Sequence, residues 1–238
     1  MMVMLPLDLD LPKVAAIVFI FLCWGLYAPV LTIFGKGTLN NQLHGVRRRW
    51  MGMLLGSDRR DRTFDAVMLG HITNSVAFFG SATLIVLAAL VGTLVNARAL
   101  HVIALEHKFL GAMSLGLFTT YLAAVTAILA GCFFSFVYAL RKLAYTLAMI
   151  GGLGDAPGGD EKSNVMIEAT ATVLTEAVKS LNNGIRGYYY AVAALFLFAG
   201  PSICIGMTIA LTLVLYYRQA FSKTARAIGS YVAAQKRL

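Results

Sequence analysis

Residues 181–221 read LNNGIRGYYYAVAALFLFAGPSICIGMTIALTLVLYYRQAF. Two apolar runs, one ending at Ala199 and the other reaching Tyr217, flank Gly200 and Pro201. Gly admits positive φ and Pro cannot donate a helical hydrogen bond, so the pair is a strong turn signal. The stretch fits one kinked helix or two helices joined by a tight turn, and the turn signal favours the hairpin. The choice matters because it sets the side of a membrane on which every basic segment lies.

That a membrane is involved follows from composition. Of the 238 residues, 59% are hydrophobic and 13% charged, and mean hydropathy is +0.75. A soluble domain sits near roughly half apolar and a quarter charged. The reading is therefore an all-α integral membrane protein, a polytopic helical bundle. The net charge of +9 raises nucleic acid as a partner. Yet the basic residues sit mostly at the edges of apolar runs, where anionic lipid and the positive-inside bias account for them, so no nucleic-acid partner is expected. Cys23, Cys132 and Cys204 fall inside apolar runs without paired spacing and read as small hydrophobes, implying neither disulfide nor metal.

Upstream of the hairpin, 163–181 is helical, with Val165, Glu168, Thr172, Glu176 and Lys179 on a wetter face than Ile167, Val173, Leu174 and Val178. Before it, Gly151–Gly159 with Pro157 reads as a loop. The run 109–140 carries Ala123, Ala127, Gly131, Ser135 and Ala139 at intervals of four. This column of small residues is the candidate helix-packing face, because close approach rather than hydrophobicity drives helix association in lipid. In the run 73–95, entered from a cap at Ser57 or Asp58, Asn74, Phe78 and Ser81 share one face. A buried amide in lipid needs a partner, so that face is expected against another helix or water.

Nearer the start, 13–34 is a span with Trp24 and Tyr27 as interfacial rings and Pro29 as a kink. Residues 1–12 lack the basic segment of a cleavable signal, so this run is expected to be retained. After it, Thr38 is a candidate N-cap for an amphipathic helix through Leu39, Leu43, Val46, Trp50 and Leu54. Arg47, Arg48, Arg49 and Trp50 are its candidate contacts to lipid head groups. The tail 222–238 is basic, and Phe221, Ala225, Ile228 and Val232 give it an apolar face suited to the anionic leaflet.

Charge then selects a topology. Seven Lys and Arg lie between the first and second spans, two between the second and third, five from Arg141 to Arg186, and five in the tail. With a hairpin the chain crosses five times, at 13–34, 73–95, 109–140, 181–199 and 203–221, and 17 of the 20 basic residues share one side. One kinked span would divide them 12 to 8. The positive-inside rule favours five crossings by a single domain, 1–238, with the N-terminus periplasmic and the C-terminus cytoplasmic. Arg186 is then expected to snorkel to the head groups with its stem along the helix.

Between about Arg47 and Arg218 the chain resembles the bacterial integral-membrane family catalogued as domain of unknown function 599. The residues that carry the resemblance are Arg48, Arg49, Trp50 and Met51; Asp65; Ser75 to Phe79 with Ser81; Leu140, Arg141 and Tyr145; and Asn183 to Arg186 with Tyr188, Tyr189 and Ala191. The resemblance implies a bacterial inner-membrane location and no established activity.

Candidate chemistry is sparse. His44, His71, His101 and His107 read as boundary histidines rather than a haem or metal pair, and no cofactor is expected. No acidic residue falls in the apolar part of a span, which argues against a buried proton relay or a paired-acid hydrolase. Ser75, Ser81 and Ser135 lack His and Asp partners for nucleophilic catalysis, and no phosphate-binding glycine loop follows a strand. An enzyme is therefore the last expectation.

Arg186 with Asn182, Asn183 and the tyrosines, Tyr188 among them, is the sharpest constellation. Two readings stay open: a cation flanked by amides that binds an anion or lipid phosphate or lines a pore, and an interfacial anchor. Two functional classes follow. One is a small homo-oligomeric channel or transport protein with Asn74, Ser81, Asn182, Asn183, Arg186 and Tyr188 on its polar path. The other is a non-catalytic accessory or scaffold subunit of a larger membrane complex, docked through the small-residue column. Anionic phospholipids are expected partners of either.

Overall fold

The structure, a computed structural model, describes residues 6, 8–34, 37–56, 62–106, 113–153 and 161–235. The candidate caps Ser57 and Asp58, His107, and the loop around Pro157 from residue 154 to 159 lie outside the described residues. Within them the regular elements are helices: α1 (Leu11–Phe34), α2 (Leu39–Gln42), α3 (His44–Gly56), α4 (Arg62–Val95), α5 (Ala97–Glu106), α6 (Leu115–Leu153), α7 (Glu161–Leu195), α8 (Pro201–Ala220) and α9 (Lys223–Gln235). The all-helical bundle required by composition is thus observed.

Four segments, Leu11–Ile33, Thr63–Val95, Leu115–Leu153 and Pro201–Gln235, are long and apolar enough to cross a membrane. α7 is not among them, because Glu168, Glu176, Lys179, Asn182, Asn183 and Arg186 interrupt its apolar positions. α4 starts at Arg62, ahead of the span read at 73–95, and α6 continues past residue 140 to Leu153, taking in Gly151 and Gly152 that read as loop.

The chain divides into two compact units. The first comprises Met1–Pro29, Ala82–Phe133 and Gly184–Tyr216. Here the backbone reverses after α7. Tyr190 Oη lies 3.1 Å from Thr212 Oγ1, and Cys204 Sγ donates to Ala193 O at 3.5 Å. On one continuous helix residues 190 and 212 would stand about 33 Å apart, so the hairpin and not the kinked helix is built. A 3₁₀ turn, Phe196–Ala199, tightens the end of α7, and Gly200 follows with φ +129°. Only glycine takes that conformation without strain. Pro201 opens α8, where its missing N–H has no helical acceptor to lose.

Phe118 and Leu122 of α6 close a small core with Ala97 of α5, against which Leu90, Leu94 and Phe198 pack. His101 hydrogen-bonds Met113 O at 2.8 Å, so it holds the α5–α6 connection. Ser114 caps α6, its Oγ accepting from Leu117 N–H at 3.1 Å, and Asp8 holds Ser114 by accepting from its Oγ at 2.5 Å and its N–H at 2.9 Å.

The second unit comprises Val30–Ser81, Phe134–Asn183 and Tyr217–Leu238. Thr38 caps α2, its hydroxyl accepting from Asn41 N–H at 3.4 Å. In this unit α6 and α7 run antiparallel: Asn183 Nδ2 donates to Ser135 Oγ at 3.0 Å, and Lys142 Nζ to Ser180 Oγ at 2.9 Å. Seven residues forward on α6 matches a step back along α7. α9 packs on α2 and α3 with Ala225 buried and Ile228 and Val232 half-buried. Of the apolar face read as a leaflet anchor, Ala225, Ile228 and Val232 therefore lie against protein, while Phe221 is exposed.

Candidate functional site

Two glycines set the geometry in the first unit. A Cβ on Gly131 of α6 would overlap the Trp24 ring, and a Cβ on Gly187 of α7 would overlap Cys132 Sγ and stand 3.1 Å from Trp24 Cζ2. Their missing side chains leave a slot that the indole fills. Trp24 and, one turn on, Tyr27 thus face protein. Seating Trp24 beside Gly187 brings Tyr27 onto the neighbouring residue: the Arg186 guanidinium carbon lies 4.6 Å from the Tyr27 ring centroid.

Arg186 itself is half-buried. Its Nη1 is buried and has no hydrogen-bond partner among the described residues. A cation over a ring contributes roughly 2 kcal/mol at best, whereas withdrawing a guanidinium from water costs on the order of several kcal/mol. The stacking therefore does not offset the desolvation. Nearby, Tyr190 is fully buried with its hydroxyl turned to Thr212.

The other polar-path candidates divide. Asn183 spends its amide on Ser135 Oγ, and the Tyr188 hydroxyl is hydrogen-bonded to Thr83 Oγ1. Both serve helix packing within the chain. Asn74 and Ser81 of α4 are exposed, Phe78 between them is 70% exposed, and Asn182 of α7 is exposed too. No described helix of the chain covers the face that Asn74, Phe78 and Ser81 share.

The small-residue column also divides. Ala139 is fully buried, Ser135 accepts from Asn183, and Gly131 meets Trp24. Ala123 and Ala127 are exposed. The column is a packing face inside the chain for its second half only.

In the second unit a polar network joins α2 and α3 to α7. Arg47 donates from Nη1 to Asn40 O and Thr175 Oγ1, both at 3.1 Å, and from Nη2 to Asn40 Oδ1 at 2.8 Å. Asn40 Nδ2 returns a bond to Thr175 O at 3.1 Å. His44 stands between Glu168 Oε1 at 2.9 Å and Thr175 Oγ1 at 3.1 Å. Thr175 Oγ1 thus serves both Arg47 and His44 Nδ1, while His44 Nε2 faces the Glu168 carboxylate. Burial pulls the Arg47 guanidinium below the usual arginine value.

Of the four residues read as head-group contacts, then, Arg47 is committed to the interior. Arg48 pairs with Glu168 at 2.9 Å, and Trp50 Nε1 donates to Asp65 Oδ1 at 2.7 Å, tying α3 to the first turn of α4. Arg49 is exposed and lines a cavity of about 700 Å³ with Val46, Trp50, Phe64, Met68 and Tyr231.

Asn40, His44 and Thr175 did not stand out in the sequence as a site. Their signal was there as spacing: Asn40, His44 and Arg47 recur at four and three residues, and Glu168 and Thr175 at seven, each a polar stripe on one helix face.

Among the described residues no group of three or more His, Cys, Asp or Glu is arranged to hold a metal. Compared with curated proteins and with solved structures, the chain has no match. A family model described as "Protein of unknown function, DUF599" matches residues 15–224. That match takes in α3, the α4 face, the Trp24 slot, Arg186 and the α7–α8 hairpin, and the chain belongs to the DUF599 family of proteins of unknown function.

Proposed function

We propose that this protein is a homo-oligomeric channel or transport protein of the bacterial inner membrane, with five crossings, a periplasmic N-terminus and a cytoplasmic C-terminus. The observation that carries the reading is the exposure of Asn74 and Ser81 on α4, a helix long and apolar enough to span. An amide in hydrocarbon without a partner is costly, so such a face is covered by a second copy or meets water. Asn182, exposed on α7, supplies another open amide. Asn183 and Tyr188, which bond within the chain, leave the path and become supports of it.

The test is single-cysteine labelling in native membranes, with Cys23, Cys132 and Cys204 replaced by alanine. N74C and S81C are expected to cross-link between copies or react with a membrane-impermeant maleimide. V214C, on an exposed apolar position of α8, is the lipid-facing control and should do neither. If all three behave alike, the reading fails.

A second reading, a non-catalytic accessory subunit, is favoured by the exposed Ala123 and Ala127. It predicts that A123W disrupts a complex with a different membrane protein while leaving N74C cross-linking unchanged.

A further inference from the structure

We infer that Arg186, held by Tyr27, forms a binding site for a phosphate-class oxyanion. The inference does not depend on the subunit arrangement proposed above, since every residue it uses lies in the first unit of one chain.

Isolation of the charge is the first observation. Residues 14–29, 82–95, 115–133, 184–195 and 201–216 contain Arg186 and no other Asp, Glu, Lys or Arg. A guanidinium is not neutralised by losing its proton, so it stays charged wherever it is placed. Native chains seldom bury a charge without a paired acid, and an ionisable residue inside a membrane-crossing bundle marks a functional site by default. Here the chain offers a π face in place of a carboxylate.

Geometry is the second. With the guanidinium carbon 4.6 Å from the Tyr27 ring centroid, the π face meets the charge without supplying an oxygen acceptor to its N–H groups. Nη1 is buried with no partner among the described residues. The two hydroxyls nearest in chemistry are engaged with each other, Tyr190 with Thr212 at 3.1 Å. The seat is rigid, because Trp24 sits in the notch made by Gly131 and Gly187 and fixes both Tyr27 and the backbone of Arg186. A rigid fork of N–H donors with a missing acid calls for an anion with two acceptor oxygens, and a phosphate or phosphodiester presents them at the spacing of that fork. Such a group comes either from a lipid head group or from free phosphate in water.

The full chain, purified in maltoside micelles and stripped of phospholipid, distinguishes them. Its melting midpoint is followed against sodium phosphate, with sodium chloride and sodium acetate at equal ionic strength as controls, and separately against phosphatidylglycerol and phosphatidylcholine added to the micelles. A saturable rise with phosphate alone assigns the site to a soluble anion. A rise with the lipids alone assigns it to a head group, and a rise with both assigns the shared phosphate. In each case R186Q should weaken the apparent Kd about tenfold or more, the loss expected for a charge-assisted pair.

The inference is overturned if none of these additions raises the midpoint saturably, if acetate does so as well as phosphate, or if R186Q responds like the unmodified chain. Should R186Q not fold, R186K takes its place, keeping the charge but losing the two-pronged edge. An undiminished response in R186K would overturn the geometry.

Discussion

Arg47 and Arg186 carry the same side chain into two protein interiors, and the chain provides for them in opposite ways. Around Arg47 the neighbouring helices supply a backbone carbonyl, an amide oxygen and a hydroxyl, three acceptors within 3.1 Å. Around Arg186 they supply the face of Tyr27, and among the described residues Nη1 has no acceptor. The first arrangement is that of a structural residue, whose removal strands its partners. The second is that of a residue waiting for something from outside the chain. The same distinction runs through the remaining polar residues: Asn183, Tyr188, Trp50 and His44 are bonded within the chain, whereas Asn74, Ser81 and Arg49 are not, among the described residues.

The largest expected effect is at Arg47. R47Q leaves Asn40 and Thr175 with unmet acceptors while both are more than nine-tenths buried. Loss of charge-assisted bonds of this kind costs about 3 kcal/mol, read as a fall in the denaturation midpoint. R48Q, which loses an ion pair whose partners are each about half exposed, should change stability by no more than about 0.5 kcal/mol.

Next is the slot that aligns Arg186. G187A drives a methyl into Cys132 Sγ and the Trp24 ring, and overpacking of this kind costs about 1–3 kcal/mol. The substitution C132A made with it should recover part of the loss, because the sulfur is the nearer obstacle. At the hairpin, G200A meets open space but a φ of +129°, a backbone penalty of about 1–3 kcal/mol with no steric relief available. A double-substituted chain that restores G187A by C132A but leaves G200A unchanged separates crowding from backbone strain.

The smallest effect is at the N-terminal segment. The Asp8 carboxyl is held below its ordinary value of 3.8, first by the Ser114 hydroxyl and then by the Ser114 N–H. A depressed carboxylate contributes stability that is present above the ordinary value and lost as pH falls through the lowered one. Tethering of residues before α1 should therefore weaken only in acid, below about pH 4, and D8N should remove that acid dependence. Limited proteolysis near residue 8 across that range is the measurement.

Much of the architecture was legible in the sequence because it rests on strong local terms. The apolar runs dictated helices, Gly200–Pro201 dictated the reversal, and Thr38 took its cap. The column Gly131, Ser135 and Ala139 packs as its spacing implied, since small residues act directly on the helix they appear in. What sequence reading missed depends on pairings between distant segments. Trp24 and Tyr27 read as interfacial rings because nothing local reveals that Gly131 and Gly187, in other helices, make room for them. Arg47 read as a head-group contact because its acceptors are supplied by Asn40 and by Thr175, 128 residues further on. α9 read as a leaflet anchor because an apolar face has the same pattern whether lipid or α2 and α3 cover it. Arg186 stood out in the sequence, but only the structure shows that among the described residues no acceptor reaches its Nη1.

The most direct measurement is a pair of melting midpoints, R47Q and R186Q, each against the unmodified chain in phospholipid-free maltoside micelles. Without an anion present, removing the unpaired Arg186 charge is predicted to leave the midpoint unchanged or raise it, while R47Q lowers it by several degrees. A comparable fall in both would contradict the account, because Arg186 would then be a structural residue like Arg47.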